Sequence, residues 1–474
     1  MANIKIILNG KKITVPDGIT VLEAAKLKGV YIPTLCAYEG MKPKAACKLC
    51  IVKIKGEDKE KLACATKVKE GMVITTDDDE LFAKRKETVQ EMFRQHTVDC
   101  HHCLRIGSTK APDFDPKFCK DCYFCDCVRD GFCELQAMAL EFGIDELPFE
   151  IHEHDFAIDD STGSIIRNPN KCIKCRRCVD VCKAQGVGIL GLIKTENGQT
   201  VGAKNGLVTD GCVRCGRCVN VCPTGALYMK EHKDEEIYFA HQYGTETAAM
   251  VCSCVLRPLE KLFGAPEGSF TYEQIIDGLH KIGIDHVYNP AFAKHTARWK
   301  AVEKLDKMIG KKCVIMAEDF AAQNFLEKNF SELKKQFLFF DSMQKAFGDY
   351  MHENFPETKL YHITSRNSYG AEAHETGDVD YFINVRELYR IFLRTGVNPE
   401  KRHGVELEEL GEYKRCERYD ALFSAGGWKL DGGIEELSFE KNGKTYKAAI
   451  CHNLGAVKKA VENMDKYDVI KVIA

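Results

Sequence analysis

The chain has 474 residues, 67 basic and 70 acidic side chains, a formal charge of −3, and 45% hydrophobic residues. At roughly 150 residues per domain, that length predicts about three domains with ample core material. The charge balance argues against a nucleic-acid partner, whose footprint would be a strongly basic domain. No run reaches the roughly 18 apolar residues of a membrane span. The opening MANIKIILNGKK lacks the charged-then-apolar layout of a signal peptide, so a cytoplasmic location is expected.

Twenty-four residues are cysteine, nineteen of them before residue 231; only Cys252, Cys254, Cys313, Cys416 and Cys451 follow. Cytosolic thiols are kept reduced, so tightly bunched Cys-x-x-Cys spacing there reads as metal binding rather than as disulfides.

Residues 2–15, through IKIILNGKKITV, read as a hairpin about Asn9-Gly10. Thr20 then opens an apolar-periodic helix, VLEAAKLKG, which Gly29 closes. Cys36, Cys47, Cys50 and Cys64 follow with C-x10-C-x2-C-x13-C spacing. A 2Fe–2S cluster needs four thiolates, and the long first gap supplies a wrapping loop while Cys64 lies in the strand-like KLACATKV. A structural zinc site is the alternative, though it would more often use two short Cys-x-x-Cys hooks. These residues resemble the N-terminal domain shared by the iron–sulfur subunit of respiratory complex I and by multidomain FeFe hydrogenases.

The stretch 80–95, ELFAKRKETVQEMFRQ, has helical periodicity and delivers His96 into HTVDCHHC; DGFCELQ follows at 130–136. The resembling family carries an H-x3-C-x2-C-x5-C motif ending in Cys-Glu-Leu-Gln, which binds a 4Fe–4S cluster. Here His96, Cys100 and Cys103 match it, and an insertion of over twenty residues displaces the fourth ligand to Cys133. His101 and His102 have no such template and are expected to face solvent or lie behind the ligands. The insertion adds Cys119, Cys122, Cys125 and Cys127. Four further thiols left over by this assignment predict an extra centre, 4Fe–4S or zinc; free thiols, or an exchange of Cys133 with an insertion cysteine, stay open.

Cys172, Cys175, Cys178 and Cys182 repeat forty residues later as Cys212, Cys215, Cys218 and Cys222, both runs reading C-x2-C-x2-C-x3-C. This is the bacterial two-cluster ferredoxin pattern, in which the fourth cysteine ligates the other cluster. One 4Fe–4S site is therefore expected from Cys172, Cys175, Cys178 and Cys222, the other from Cys212, Cys215, Cys218 and Cys182. Lys183 replaces the proline that usually follows the first run, whereas Pro223 follows the second. GVGILGLI and GLVTDGC are expected to form short strands and turns.

From residue 250 strand-like and helical stretches alternate (AAMVCSCV, TYEQIIDGLHKIGIDHVYNP, CVIMAE, FLEKNFSELKKQ, YDALFSAGGWK), an α/β pattern. Their order resembles the catalytic domain of FeFe hydrogenases, in which three loops hold the hydrogen-forming cluster. Opposite the T-S-C-C-P-x-W loop stands MAEDFAAQNFLEKNF, without cysteine. Opposite M-P-C-x-x-K-x-E stands TSRNSYGAE, ahead of Asp378-Val379-Asp380 and Arg386-Glu387-Leu388, so the frame survives without its cysteine and lysine. DKYDVIKVIA comes where the C-x3-C tail would begin. The resemblance thus implies no catalytic residue and no hydrogen-forming cluster. Cys252-x-Cys254 is expected in an apolar strand with both side chains on one face, and Cys313, Cys416 and Cys451 in the core.

The expected fold is multidomain, α+β and α/β: a β-grasp 2Fe–2S ferredoxin (1–78), a His-Cys 4Fe–4S module with a Cys-rich insertion (79–150), a two-cluster 4Fe–4S ferredoxin (151–240), and a degenerate FeFe-hydrogenase-like domain (241–474). No strand-linked G-x-G-x-x-G and no Walker sequence occurs, which puts flavin and NAD on a partner. The resemblance implies the electron-transfer hub of a soluble NAD(H)-linked oxidoreductase complex from an anaerobe, with electron bifurcation a common use. Its implied partners are a flavin/NAD subunit, a small thioredoxin-like 2Fe–2S subunit, ferredoxin and a separate catalytic subunit such as a hydrogenase. Rival readings are a self-sufficient hydrogenase, the iron–sulfur subunit of complex I or of a formate dehydrogenase, and a redox sensor.

Overall fold

The computed structural model describes residues 2–94, 96, 129, 133–144, 147–149, 156–230, 237, 240, 243–425 and 427–474. Strands Asn3–Leu8 and Lys11–Pro16 pair antiparallel across Asn9-Gly10, both at positive φ (47° and 77°), which suits a tight hairpin turn. Strand Asn3–Leu8 also runs parallel to Val73–Thr75, and Ile51–Ile54 and Lys61–Leu62 complete a five-stranded sheet. Thr20 caps helix Val21–Leu27 through a reciprocal capping box with Glu23. The expected strand around Cys64 is only Lys61–Leu62, and Cys64 itself lies in the turn that follows.

Helix Asp79–Arg94 is fastened to this sheet by a buried cation. Arg85 donates to the carbonyls of Leu49, Ile51 and Thr76 at 3.1, 2.7 and 2.7 Å. One guanidinium therefore ties the helix to the loop that carries Cys47 and Cys50.

Strands Ile165–Arg167 and Leu227–Met229 pair antiparallel and draw the ends of the double-cysteine segment together. Helices Arg177–Ala184 and Arg217–Val221 pack within it. The GVGILGLI region supplies the first strand of the hairpin Gly191–Thr195 with Gly198–Gly202. GLVTDGC differs from expectation: Leu207–Asp210 is one helical turn, closed by Gly211 in the left-handed region. Here the Asp159 carboxylate accepts the Leu207 N–H at 2.8 Å and starts the helix from another segment.

The C-terminal half holds two sheets. The first is wholly parallel, in the order His286–Tyr288, Thr247–Val251, Lys359–Thr364, Tyr381–Asn384. Thr247–Val251 is apolar after its first residue and buried throughout, as burial on both faces demands, and Lys359–Thr364 is buried from Leu360 onward although it carries His362 and Thr364. The second runs Phe337–Phe339, Val314–Ala317, Val469–Val472, Lys444–Cys451, Ile434–Lys441, with only the last strand antiparallel. Among the described residues no helix is long and apolar enough to cross a membrane.

The surviving D-V-D and R-E-L frame has structural duties. Asp380 accepts the Leu360 N–H (2.9 Å) and the Lys359 ammonium (2.7 Å), locking two neighbouring strands. A Cβ on Gly348 would stand 2.0 Å from the Asp378 carbonyl oxygen, so only glycine lets helix Met343–Asn354 approach that turn. Glu387 closes a capping box on Asn384. Glu372, 6% exposed, takes the Ser342 hydroxyl at 2.7 Å, and burial pushes its carboxyl up to about 8. Because the folded-state value is raised, the stability this group confers is full below about pH 4.5 and declines as pH rises from there towards 8. Glu372→Gln should therefore stabilise the chain at pH 8.5 by on the order of 1–3 kcal/mol and change little at pH 5. Urea unfolding at the two pH values measures this, and a pH-independent difference would contradict the assignment.

Candidate cluster sites

Cys36, Cys47, Cys50 and Cys64 come from two loops and are all buried. They meet as two pairs. A hydrogen bond from Cys47 holds the Cys36 thiol below the ordinary range, while the same contact pushes Cys47 up. Cys64 and Cys50 share a proton in the same sense, Cys64 being the lowered partner. Backbone N–H groups converge on them: Leu35 donates to Cys47 Sγ at 3.4 Å, and Ala45, at φ 51°, turns its N–H toward Cys64. Left-handed residues such as Ala45 and Lys48 (φ 55°) turn successive N–H groups inward and build an anion-binding nest.

The double-cysteine segment repeats this device. Lys174 and Arg176 in the first run, and Arg214 and Gly216 in the second, all adopt positive φ between 55° and 66°. In consequence Cys172 receives the N–H of Lys174, Cys175 that of Arg177, Cys212 that of Arg214 (3.4 Å) and Cys215 that of Arg217. Cys182 takes N–H groups from Gly188, Ile189 and Leu190. Cys172, Cys175, Cys178 and Cys222 line one cavity together with Arg167 and Pro223. Cys182 faces Cys212, Cys215 and Cys218 instead. Each fourth cysteine thus stands with the other run's three.

Burial pushes Cys178 and Cys218 far up, and Cys175 and Cys212 to about 12. Such thiols must shed protons to bind metal, which the converging N–H groups favour. An enclosed cavity with four thiols, inward N–H groups and a buried guanidinium suits an anionic iron–sulfur cluster. Among the described residues no three His, Cys, Asp or Glu side chains close on a single metal ion; these cysteines stand in pairs or around a cavity.

Of the His-Cys module, His96 and Cys133 are described; Cys100, Cys103, His101, His102, Cys119, Cys122, Cys125 and Cys127 lie outside the described residues. His96 is buried, with Nδ1 3.0 Å from the Lys171 carbonyl oxygen, next to Cys172. Donation by Nδ1 to that carbonyl would fix Nε2 as the basic nitrogen. Glu134 donates its N–H to the Pro223 carbonyl at 3.0 Å, which sets Cys133 against the turn holding Cys222. Cys36, Cys47, Cys133 and Cys175 then share one hydrophobic core.

Two arginines missed in the sequence organise these junctions. Arg177 and Arg217 occupy the same position in the two runs, immediately before the third cysteine. Arg177, 4% exposed, makes a two-pronged ion pair with Glu134 (2.8 and 2.8 Å) and lies over the Tyr38 ring. It thereby touches three segments, those of Cys36, Cys133 and Cys175. Arg217 faces the other way, stacks 4.3 Å over the Trp428 ring and donates to the Ala474 carbonyl. Arg386 of the R-E-L frame donates to the Val219 and Asn220 carbonyls (2.9 and 2.6 Å) and Arg129 to Val219 (2.9 Å), closing the helix that leads to Cys222. The signal was an arginine repeated at one position of a cysteine motif.

In the C-terminal half, Asn367 and Gly370 stand where counting back from Glu372 would place the cysteine and lysine of the M-P-C-x-x-K-x-E loop. Asn367 donates to the Gly216 carbonyl at 3.3 Å and to Asn220 Oδ1 at 2.8 Å. A Cβ on Gly216 would lie 2.3 Å from Asn367 Cβ, so glycine is needed there both for φ and for space. Cys313, Cys416 and Cys451 are packed in cores. Cys252 and Cys254 correct the sequence reading: the strand ends at Val251, and both lie in the turn beyond it.

Residues 1–79 match the 2Fe-2S iron-sulfur cluster binding domain, residues 171–226 the 4Fe-4S dicluster domain, and residues 245–474 the C-terminal domain of the iron only hydrogenase large subunit. The chain is a multidomain iron–sulfur protein that joins ferredoxin domains to a hydrogenase-like α/β domain. It is 30% identical, over 65% of its own length and 50% of the relative's, to the HndD subunit of the NADP-reducing hydrogenase of Solidesulfovibrio fructosivorans. It is also similar to a subunit of an NADH-quinone oxidoreductase of Rhizobium meliloti (32% identity, covering 41% of this chain and 20% of that one). With the gamma chain of the NAD-reducing hydrogenase HoxS of Cupriavidus necator it shares 27% identity, covering 39% of this chain and 68% of that one. The chain thus spans half or less of the first two relatives.

Glu134→Ala should leave Arg177 buried without its carboxylate and loosen the junction of the three segments. Because Glu134 is 41% exposed at its side chain, the expected loss is about 1–3 kcal/mol, below that of a fully buried pair. Denaturant unfolding would measure it; a loss under about 0.5 kcal/mol, typical of a surface pair, would show that the pair is ornamental.

Proposed function

We propose that this chain relays electrons as the iron–sulfur subunit of an NAD(H)-linked, multi-subunit oxidoreductase. The observation that carries the reading is the shared core of Cys36, Cys47, Cys133 and Cys175, continued by the crossing of Cys182 and Cys222 between the two cysteine runs. The functions of the relatives, NADP- and NAD-reducing hydrogenases and an NADH-quinone oxidoreductase, support the NAD link.

In this reading Cys36, Cys47, Cys50 and Cys64 hold a 2Fe–2S cluster, and His96, Cys100, Cys103 and Cys133 a 4Fe–4S cluster. Cys172, Cys175, Cys178 and Cys222 hold a second 4Fe–4S cluster, and Cys182, Cys212, Cys215 and Cys218 a third. Cys119, Cys122, Cys125 and Cys127 hold one more 4Fe–4S cluster, or zinc. Such clusters supply single-electron steps at potentials spanning roughly −700 to +450 mV. The chain's own contribution is to exclude water, aim N–H groups at the sulfurs and place buried guanidiniums beside them; the last two favour the reduced, more negative state. A flavin/NAD subunit with a small thioredoxin-like 2Fe–2S companion would sit at one end of the row. Ferredoxin or a separate catalytic subunit, a hydrogenase among the candidates, would sit at the other. Bifurcation, where the complex performs it, would belong to the partner's flavin, and the complex would reside in the cytoplasm.

The C-terminal half serves in this proposal as a scaffold without a hydrogen-forming cluster. Asn367 and Gly370 support that reading, since neither can supply a thiolate or an ammonium. Metal analysis of the anaerobically purified chain tests the ligand count. About 18 irons are expected with the extra 4Fe–4S centre and about 14 with zinc in its place; about 10 or fewer would contradict the proposal. Cys178→Ser should abolish one 4Fe–4S electron paramagnetic resonance signal and cut NADH-driven electron transfer by the assembled complex at least tenfold. An unaltered spectrum would refute the assignment of that thiolate.

A further inference from the structure

The first parallel sheet of the C-terminal half has a switch point that the relay described above does not use. Strand Thr247–Val251 leads to His286–Tyr288 on one side, whereas its other neighbour, Lys359–Thr364, leads to Tyr381–Asn384 on the opposite side. Successive connections therefore leave this strand pair in opposite directions and open a crevice beyond its carboxyl ends, the place where parallel sheets hold their chemistry. Cys252 and Cys254 stand there, with Thr364, Ser365 and Arg366 across from them.

The two thiols are in contact, and both are half-buried. Cys252 Sγ accepts the Cys254 N–H at 3.4 Å, which folds the short turn back on itself. Cys254 Sγ lies 3.3 Å from the Thr364 hydroxyl and accepts the Ser365 N–H at 3.5 Å. The adjoining Arg366 is exposed to solvent. Three groups thus converge on one sulfur, a setting that stabilises thiolate. The remaining cysteines of this half, Cys313, Cys416 and Cys451, are packed in cores.

The same loop reaches the relay. Three residues after Thr364, Asn367 rests on Gly216, which lies between Cys215 and Cys218. Three residues of chain span at most about 11 Å, so the thiol pair and the site of Cys182, Cys212, Cys215 and Cys218 are joined by one short, buttressed segment.

We propose that Cys252 and Cys254 form a dithiol/disulfide couple that stores two electrons at the end of the cluster row. This rests on the reading of the Cys182, Cys212, Cys215 and Cys218 site as a 4Fe–4S centre. On oxidation one S–S bond forms; the S–H bond of Cys252, and that of Cys254 where it is still protonated, are broken. The protons pass to solvent on the Arg366 side. The two electrons would leave one at a time through the site of Cys182, Cys212, Cys215 and Cys218, a 4Fe–4S centre there holding one electron and passing it along the row before the second follows, and reduction would reverse each step. The pair would turn the single-electron traffic of the row into a two-electron unit.

The test uses the anaerobically purified, cluster-loaded full chain, poised oxidised and then reduced stepwise with dithionite. At each step thiols are trapped with N-ethylmaleimide under denaturing conditions, and the fragment holding Cys252 and Cys254 is weighed. The expected fragment is unlabelled and two hydrogens lighter when oxidised, and doubly labelled when reduced. Full reduction should consume two more electrons per chain than in Cys252→Ser or Cys254→Ala, whose cluster spectra should match the parent's. Reduction of the disulfide should slow at least tenfold in Cys215→Ser. A pair labelled fully at every step, an equal electron count, or an unchanged rate in Cys215→Ser with its cluster signal lost would each overturn the proposal. Failure of the underlying relay reading would show separately, as a missing cluster signal in the parent chain.

Discussion

The architecture depends on what the two cysteine runs do with one repeated arginine. Arg177 and Arg217 occupy the same position in their runs, and each leaves the double-cysteine segment in a different direction. The first is held by Glu134 beside Cys133, the second by Trp428 and Ala474 in the C-terminal half. A guanidinium drawn out of water is costly unless its charge is met, so buried Arg177 and half-buried Arg217 each favour having the neighbouring segment in place. The internal repeat of the sequence thereby becomes a pair of docking points, one for each flank.

Docking of this kind turns separate modules into a continuous core. Cys36, Cys47, Cys133 and Cys175 share apolar neighbours such as Leu35, Phe93 and Leu135 although the first and last lie 139 positions apart in the sequence. Local backbone geometry then prepares each thiol. Left-handed residues at Ala45, Lys48, Lys174, Arg176 and Arg214 are uncommon outside glycine, and here they recur in the 2Fe–2S loop and in both cysteine runs, where N–H groups face sulfur. Their conformational cost is small beside the benefit of supplying fixed dipoles where water is absent.

The parts of this molecule legible in the sequence were those specified within a short window. The Asn9-Gly10 hairpin, the Thr20-Glu23 cap and the cysteine spacings are local, and the fold places the thiols of the two runs in the crossed arrangement that spacing implies. What escaped depends on partners far away in the chain. Leu207–Asp210 becomes helical because Asp159, 48 residues earlier, meets its first N–H. Cys252 and Cys254 leave the strand because the parallel sheet ends at Val251, and their neighbours come from Thr364 and Ser365, more than a hundred residues on. The roles of Arg177 and Arg386 were likewise invisible until Glu134 and Val219 were set beside them. The D-V-D and R-E-L frame looked like a remnant of lost catalysis, yet it holds strands, a helix cap and a domain junction.

In the proposed relay the cysteine sites of different domains form one electrically connected row. The direct measurement is the spin relaxation of the reduced 2Fe–2S centre in the anaerobic, cluster-loaded chain, followed by pulsed electron paramagnetic resonance while the 4Fe–4S centres are reduced progressively. A shared core predicts that the 2Fe–2S signal relaxes faster, and broadens, as its neighbours become paramagnetic. A 2Fe–2S signal whose relaxation is indifferent to the state of every other centre would contradict such a row.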